Sequence, residues 1–362
     1  LPRFFLKPRI EIVKKIQTIG IIGGGQLGRM ICFYAHKLGF RTVIFTDQKN
    51  SPASFVTNQT IVGDFSDKKA LKKFASMVDI ATFEFENIPY EAAETVASQV
   101  EVCPHPDVLK TTQNRILEKK FLNSIGIKTA EFAVISSLSD LEKNLTKFKK
   151  AILKTATMGY DGKGQFVLKN VAEAKKAWVE AKNQKLILEK FCPFDSEISV
   201  MVARSKSGEI RAYEPLTNIH KNGILDESIY PAKISKALQI KAKKLAKKIA
   251  EKIKLCGVLA VEMFVVGDKL LVNELAPRPH NSGHFSMNAA ITSQFEQLIR
   301  AICGLQLGSV KFHSTGFMKN LIGNDVKDVE KFYKNPNAKI HLYGKEKIAD
   351  GRKMGHVNIL KS

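Results

Sequence analysis

Met158-Gly159-Tyr160-Asp161-Gly162-Lys163-Gly164-Gln165 follows the apolar run Ala151-Ile152-Leu153-Lys154 and sets three glycines, a tyrosine, an aspartate and a lysine in one short loop. Glycine lets the backbone approach a ligand and turn its N–H groups toward phosphate oxygens. Lys163 adds mobile charge, and Lys154 sits on the strand just before. The stretch reads as a loop that closes over phosphates. By itself a Gly-rich hairpin carrying a surface lysine has the same composition, so the rest of the chain must decide.

Around this loop the pattern is a small α+β unit. Phe132–Ile135, Ala151–Lys154, Gln165–Leu168 and Lys185–Phe191 read as strands, with helices around 140–149 and 172–181. Upstream, Thr18-Ile19-Gly20-Ile21-Ile22 reads as a buried strand that passes through Gly23-Gly24-Gly25-Gln26-Leu27-Gly28 into an apolar helix. Arg41–Phe45, Ile80–Phe83 and Val100–Pro104 follow as further strands, and the alternation predicts a Rossmann-like parallel sheet covered on both faces. A lysine-rich helical segment over 111–124 leads into the loop-bearing unit. Downstream come antiparallel strand candidates from about Ser196, a helix over 236–254 and a hairpin over 258–275. The expected units are an N-terminal extension (1–16), the parallel-sheet domain (17–110), a linker helix with the small lid domain (111–192), an antiparallel-sheet catalytic domain (193–310) and a small terminal domain (311–362).

A chain of 362 residues exceeds what one core usually spans. The net charge of +22 comes from lysines spread along the whole length rather than from one cluster. In the 236–254 segment, Leu238, Ala242, Leu245, Ala246, Ile249 and Ala250 recur at helical spacing and lysines fill the other positions, which is a packed helix with a solvated face. Neither a nucleic-acid footprint nor a membrane helix is expected. Five widely separated cysteines without a C-x-x-C pair argue for a reducing cytosol and against zinc.

Two constellations carry chemistry. The 23–28 turn fits a dinucleotide fingerprint, with Asp47 near the spacing a ribose-binding acid requires, and it fits equally an anion site for a sugar phosphate at a helix N-terminus. The second is the hairpin around Gly267-Asp268-Lys269. If its loop has three residues, Val266 pairs with Leu270 and Glu262 faces Glu274; a two-residue loop would put Asn273 there. Two carboxylates side by side among aliphatic residues call for a hard cation, and magnesium bridging nucleotide phosphates suits them. Beyond Glu274, Leu275-Ala276-Pro277-Arg278-Pro279-His280-Asn281-Ser282-Gly283-His284 is dense in donors, and Arg278 suits capture of a carboxylate or acyl phosphate.

With these residues in order, the chain resembles the ATP-grasp ligases, and within them the 5-(carboxyamino)imidazole ribonucleotide synthase family of biotin-independent, ATP-dependent carboxylases. The likeness runs from about residue 18 to 360. It is carried by Gly24-Gly25-Gln26-Leu27-Gly28-Arg29-Met30, Thr82-Phe83-Glu84-Phe85-Glu86-Asn87-Ile88-Pro89, the 159–165 loop, 273–278 with 280–284, and Gly351-Arg352-Lys353-Met354-Gly355-His356. Met158 departs from it, standing where many relatives carry glycine.

The resemblance implies ATP between the lid and catalytic domains. Arg115, Lys154, Gly159, Gly162, Gly164, Gln165 and their loop neighbours would meet the phosphates, Glu189, Lys190, Phe191 and Cys192 the adenine, and Glu197 the ribose, with His220 and Asn273 nearby. Glu262 and Glu274 would hold magnesium. Arg278, Tyr160, Asp161, Lys163 and His284 would act on the reacting groups, and Gln26, Leu27, Glu84, His280, Arg352 and Lys353 would bind the ribonucleotide. It further implies a cytoplasmic homodimer whose partners are small molecules: ATP, bicarbonate and aminoimidazole ribonucleotide. The rival expectations are an ATP-grasp ligase with another substrate, a nicotinamide-dependent oxidoreductase resting on the first glycine turn and Asp47, and a basic nucleic-acid-binding protein resting on net charge.

Overall fold

The computed structural model describes residues 16–157, 164–181 and 185–361. Strands β1 (Thr18–Ile22), β2 (Arg41–Thr46), β3 (Gln59–Val62) and β4 (Ile80–Phe83) form a parallel sheet in the order β3-β2-β1-β4. Helix α1 (Gln26–Lys37) packs on one face. Helices α2 (Lys68–Ala75) and α3 (Tyr90–Ala97) cover the other, where Phe45, Phe74, Phe83 and Val96 are buried. Such double cover is what the unbroken apolar runs of β1 and β4 require.

Two expectations change here. The run 100–104 makes one bridge, Val102 with Ala81, and no strand, since Pro104 has no N–H to extend a ladder and the chain turns into α4 (Pro106–Thr112). The helical segment 111–124 is two helices, because the Asn114 side chain accepts from the N–H groups of Ile116 and Leu117 and so starts α5 (Arg115–Ser124) afresh.

The second sheet has the order β5-β8-β6-β7, from β5 (Phe132–Ile135), β6 (Ala151–Thr155), β7 (Gln165–Leu168) and β8 (Leu186–Lys190). Ala151, Leu153, Leu186 and Leu188 bury one face under α6 (Leu138–Phe148) and α7 (Val171–Glu180). By the two-residue alternation of a strand, Ile152, Lys154, Ile187 and Glu189 share the opposite face.

The third sheet holds nine antiparallel strands: β9 (Ser196–Arg204), β10 (Ile210–Ala212), β11 (Leu216–Lys221), β12 (Ile224–Tyr230), β13 (Gly257–Val266), β14 (Lys269–Ala276), β15 (Thr315–Ile322), β16 (Ala338–Leu342) and β17 (Lys353–Lys361). The terminal segment thus adds three strands to the edge of the same sheet. Helix α8 (Lys236–Lys252) packs on β9, and its Leu238, Ala242, Ala246 and Ile249 share one buried cluster with Ile198, Val200 and Val202 of β9 and Leu259, Val261 and Met263 of β13. On the opposite face Val258 and Ala260 lie under an apolar cluster that includes Phe295 and Leu298 of helix α10 (Gln294–Ile302), which follows the single turn α9 (Ser286–Ala289). The same face continues past that cover to Glu262 and Phe264, and there the site begins.

Candidate functional site

The hairpin loop has two residues: Val266 pairs with Lys269. A regular ladder would then set Asn273 opposite Glu262. Instead the register shifts beside Met263, which pairs with Val272, and Glu262 faces Glu274. Asn273 is the extra residue of a β-bulge, so the expected carboxylate pair is reached by a different route. Burial and the neighbouring Glu274 push the Glu262 carboxyl well above its usual range.

A third carboxylate, unforeseen in the sequence, stands behind them. Glu118 of α5 is 1% exposed and accepts from the Leu275 N–H at 2.6 Å. Burial, then Glu274, pushes it up to about 8.

Around this pair a cavity of about 270 Å³ is lined by Arg115, Lys154, Gln165, Glu197, His220 and Asn273, together with Phe194 and Phe264, whose rings stack 4.5 Å apart. His220 is ion-paired with Glu197; burial opposes its charge, but that contact wins and raises its pKa. Glu189 lies outside the cavity wall, its carboxylate 3.0 Å from Lys154 Nζ and 3.3 Å from Lys119 Nζ. Lys190, Phe191 and Cys192 are not among the described residues that line this cavity. Lys190 reaches Glu131, and Phe191 carries Lys150 over its ring. Gly159, Tyr160, Asp161, Gly162 and Lys163 lie outside the described residues. At the edge of that stretch Gly164 has φ +68°, and a Cβ there would sit 2.9 Å from Thr155 Oγ1, so the close turn requires glycine.

A larger cleft of about 610 Å³ is lined by Gln26, Leu27, Glu84, Arg278, His280 and His284, and also by Arg352 and Lys353. Glu274, His280, Asn281 and Lys353 belong to both cavities, so the two spaces meet there. Arg278 is ion-paired through Nε with Glu86, a partner the sequence reading did not supply, and its Nη1 donates to Pro279 O at 3.0 Å. Burial would raise the Glu86 carboxyl, but Arg278 prevails and holds it below its usual range. His280 Nε2 lies 3.5 Å from Glu262 Oε1, and its Nδ1 is 2.9 Å from Ser282 Oγ.

His284 is buried. Its Nδ1 meets Gln294 Nε2 at 3.0 Å, and its ring stacks on His356, which stacks in turn on His341. Asn281, quoted in the motif but given no role there, has both side-chain amide atoms buried without a partner among the described residues. The density of donors and acceptors in 277–284 was the available signal.

The glycine turn is explained by Glu84. Its carboxylate accepts from the Gly25 N–H at 2.7 Å and the Gly28 N–H at 2.9 Å, and so fills the N-terminal end of α1. A Cβ on Gly23 would approach Glu84 Cγ to 2.5 Å, and one on Gly25 would approach Oε1 to 2.7 Å. The glycines make room for a protein carboxylate where a dinucleotide would need to seat its pyrophosphate.

Hard oxygen donors at Glu262 and Glu274, whose mutual repulsion a cation would relieve, fit magnesium. No cluster of three or more His, Cys, Asp or Glu suited to a metal occurs among the described residues, so the remaining ligands would come from phosphate and water, as is common for this ion. No helix among them is long and apolar enough to cross a membrane.

Comparison with known proteins agrees with this arrangement. Residues 16–113 match the ribonucleotide synthetase preATP-grasp domain, 120–295 the ATP-grasp domain, and 316–362 the phosphoribosylaminoimidazole carboxylase C-terminal domain. The chain is 43% identical over 357 residues to N5-carboxyaminoimidazole ribonucleotide synthase of Bacillus subtilis, covering 97% of this chain and 93% of that one. Among solved structures, N5-carboxyaminoimidazole synthetase from Staphylococcus aureus complexed with ADP superposes with a TM-score of 0.91 at 34% identity, over 96% and 94% of the two chains. The Aspergillus clavatus synthase in complex with ADP and 5-aminoimidazole ribonucleotide gives 0.90 at 30% identity, over 96% and 94%. With its glycine turn, carboxylate hairpin and two joined cavities in this arrangement, the chain belongs to the N5-carboxyaminoimidazole ribonucleotide synthase family of ATP-grasp ligases.

Proposed function

We propose that the chain carboxylates the exocyclic amine of 5-aminoimidazole ribonucleotide with bicarbonate, at the expense of ATP, releasing ADP and phosphate. The observation that carries this reading is the junction of a phosphate-suited cavity with a larger cleft at Glu274, His280, Asn281 and Lys353. Phosphoryl transfer needs positioning and charge neutralisation more than a covalent nucleophile, and the residues here are of that kind.

In this reading Arg115 and Lys154 take the phosphates and Glu197 with His220 the ribose. A bicarbonate oxygen attacks the γ-phosphorus, ADP leaves, and carboxyphosphate forms at the junction. The amine nitrogen then bonds the carboxyl carbon, of carboxyphosphate itself or of carbon dioxide released from it, as the C–O bond to phosphate breaks and the departing phosphate takes up the amine proton. Arg278, held by Glu86, faces the developing anionic charge. His280 and Asn281 orient the acyl group, while Arg352 and Lys353 take the ribonucleotide. Tyr160, Asp161 and Lys163 act on the reacting groups, a role that rests on the family resemblance. Magnesium held by Glu262 and Glu274 would neutralise phosphate charge. A homodimer working in the cytoplasm rests on the family resemblance, and sedimentation velocity tests the dimer.

The test is ADP release from Mg-ATP and bicarbonate, with and without aminoimidazole ribonucleotide, in wild type and Glu274→Ala. Strong stimulation that the substitution abolishes is expected. Folded, ATP-binding protein that the ribonucleotide does not stimulate would refute the substrate.

A further inference from the structure

Lys119 lines neither cavity, yet its side chain is 1% exposed, an unusual position for an ammonium group. It is the inner member of a three-residue chain. Its Nζ lies 3.3 Å from Glu189 Oε1, and Glu189 Oε2 accepts from Lys154 Nζ at 3.0 Å. Only Lys154, at the outer end, reaches the smaller cavity. The burial of all three follows from position: β6 and β8 bring Lys154 and Glu189 to one face of the lid sheet, and α5 delivers Lys119 beneath them.

One carboxylate between two ammonium groups leaves one net positive charge, and the order of the three decides where it is usable. If Lys119 were absent, Glu189 and Lys154 would form a closed neutral pair, and the ammonium at the cavity would attract a polyanion weakly. With Lys119 behind it, Glu189 is already neutralised from the interior. Burial disfavours the Glu189 charge, but Lys119 and then Lys154 overcome this and hold the carboxyl below its usual range, so the carboxylate is ionised.

We propose that Lys119 is a positioning residue which, by neutralising Glu189 from the buried side, leaves the Lys154 ammonium available to the phosphates of ATP. This rests on reading the smaller cavity as the triphosphate site. Lys119 itself touches no substrate. Its effect falls on ATP affinity and not on the rate of the bound complex.

The experiment compares wild type, Lys119→Met and Lys119→Arg, using calorimetric titration with Mg-ATP and with adenosine and steady-state kinetics. Lys119→Met is expected to raise Kd and KM for ATP about tenfold, with kcat and the Kd for adenosine, which carries no phosphate, within about twofold of wild type. Lys119→Arg keeps the buried positive charge and is expected to hold the Kd for ATP within about threefold of wild type. A packing role would weaken adenosine and ATP alike. Unchanged ATP affinity in Lys119→Met, an equal loss for adenosine, or a loss beyond about threefold in Lys119→Arg overturns the proposal. Lys119→Arg decides by that same threshold even if Lys119→Met does not fold. Wild-type protein that binds no ATP refutes the site reading itself, a separate failure seen before any variant is compared.

Discussion

Glu262 faces Glu274 because Asn273 is bulged out of the β13–β14 ladder. The two-residue loop fixes Met263 opposite Val272, and the bulge absorbs one residue before Glu274. Deleting Asn273 therefore leaves every pair in register, with Glu274 still beside Glu262. The deletion variant is expected to melt within a few degrees of wild type. Its ADP release should fall by roughly a hundredfold, since the bulge sets the aim of Glu274 and supplies the Asn273 side chain. Circular dichroism melts and the ADP assay check both halves, and near-normal turnover would mean that the bulge has no part in the chemistry.

Glu84 ties the first parallel sheet to its own helix. Replacing it by alanine strands the Gly25 and Gly28 N–H groups, which it accepts at 2.7 and 2.9 Å. A loss of about 1–3 kcal/mol is expected in urea unfolding. Gly25→Ala acts on the same contact, because its Cβ would fall 2.7 Å from Glu84 Oε1. The two substitutions combined should cost less than their sum. Additive losses would show that the glycine and the carboxylate do not depend on each other.

What could be read from the sequence follows the periodicities. Alternation made Lys154 and Glu262 recognisable as polar residues on otherwise buried strands, and 3.6-residue spacing made α8 plain. The bulge at Asn273 has no compositional mark, so the sequence leaves both loop lengths open and does not show that the two-residue loop still brings the carboxylates together. Glu118 and Lys119 were hidden in a helix whose many charged residues resembled a solvated face; only packing under β8 and β14 distinguishes them. Glu86 and Arg278 lie 192 positions apart, a distance over which no local pattern speaks. β3, short and only partly buried, lacks the apolar run that betrayed its neighbours.

Arg278 lines the larger cleft but not the smaller. Lysine cannot reproduce a guanidinium that engages Glu86 through Nε and Pro279 O through Nη1. Arg278→Lys should reduce ribonucleotide-stimulated ADP release by about a hundredfold while leaving the Kd for ATP within about threefold. Calorimetry with ATP separates the two effects. Equal losses in binding and turnover would place Arg278 at the nucleotide instead.

The stack of His284, His356 and His341 ties the cleft to the terminal strands and gives the fold an acid-sensitive point. Ring centroids are 4.5 Å apart at both steps, and Tyr343 OH meets His356 Nδ1 at 2.8 Å. Burial lowers the pKa of all three, that of His341 to about 4 from 6.5. A depressed imidazole pKa means that the unfolded chain binds more protons between those values. The stabilisation is therefore complete above pH 6.5 and is lost as pH falls toward 4. Each histidine contributes at most about 1.4 kcal/mol per pH unit within that window. Urea unfolding of wild type and His341→Gln between pH 4.5 and 7.5 should give a shallower acid slope in the variant, by up to one proton. Identical slopes would mean that His341 protonates as readily in the folded protein as in the unfolded chain.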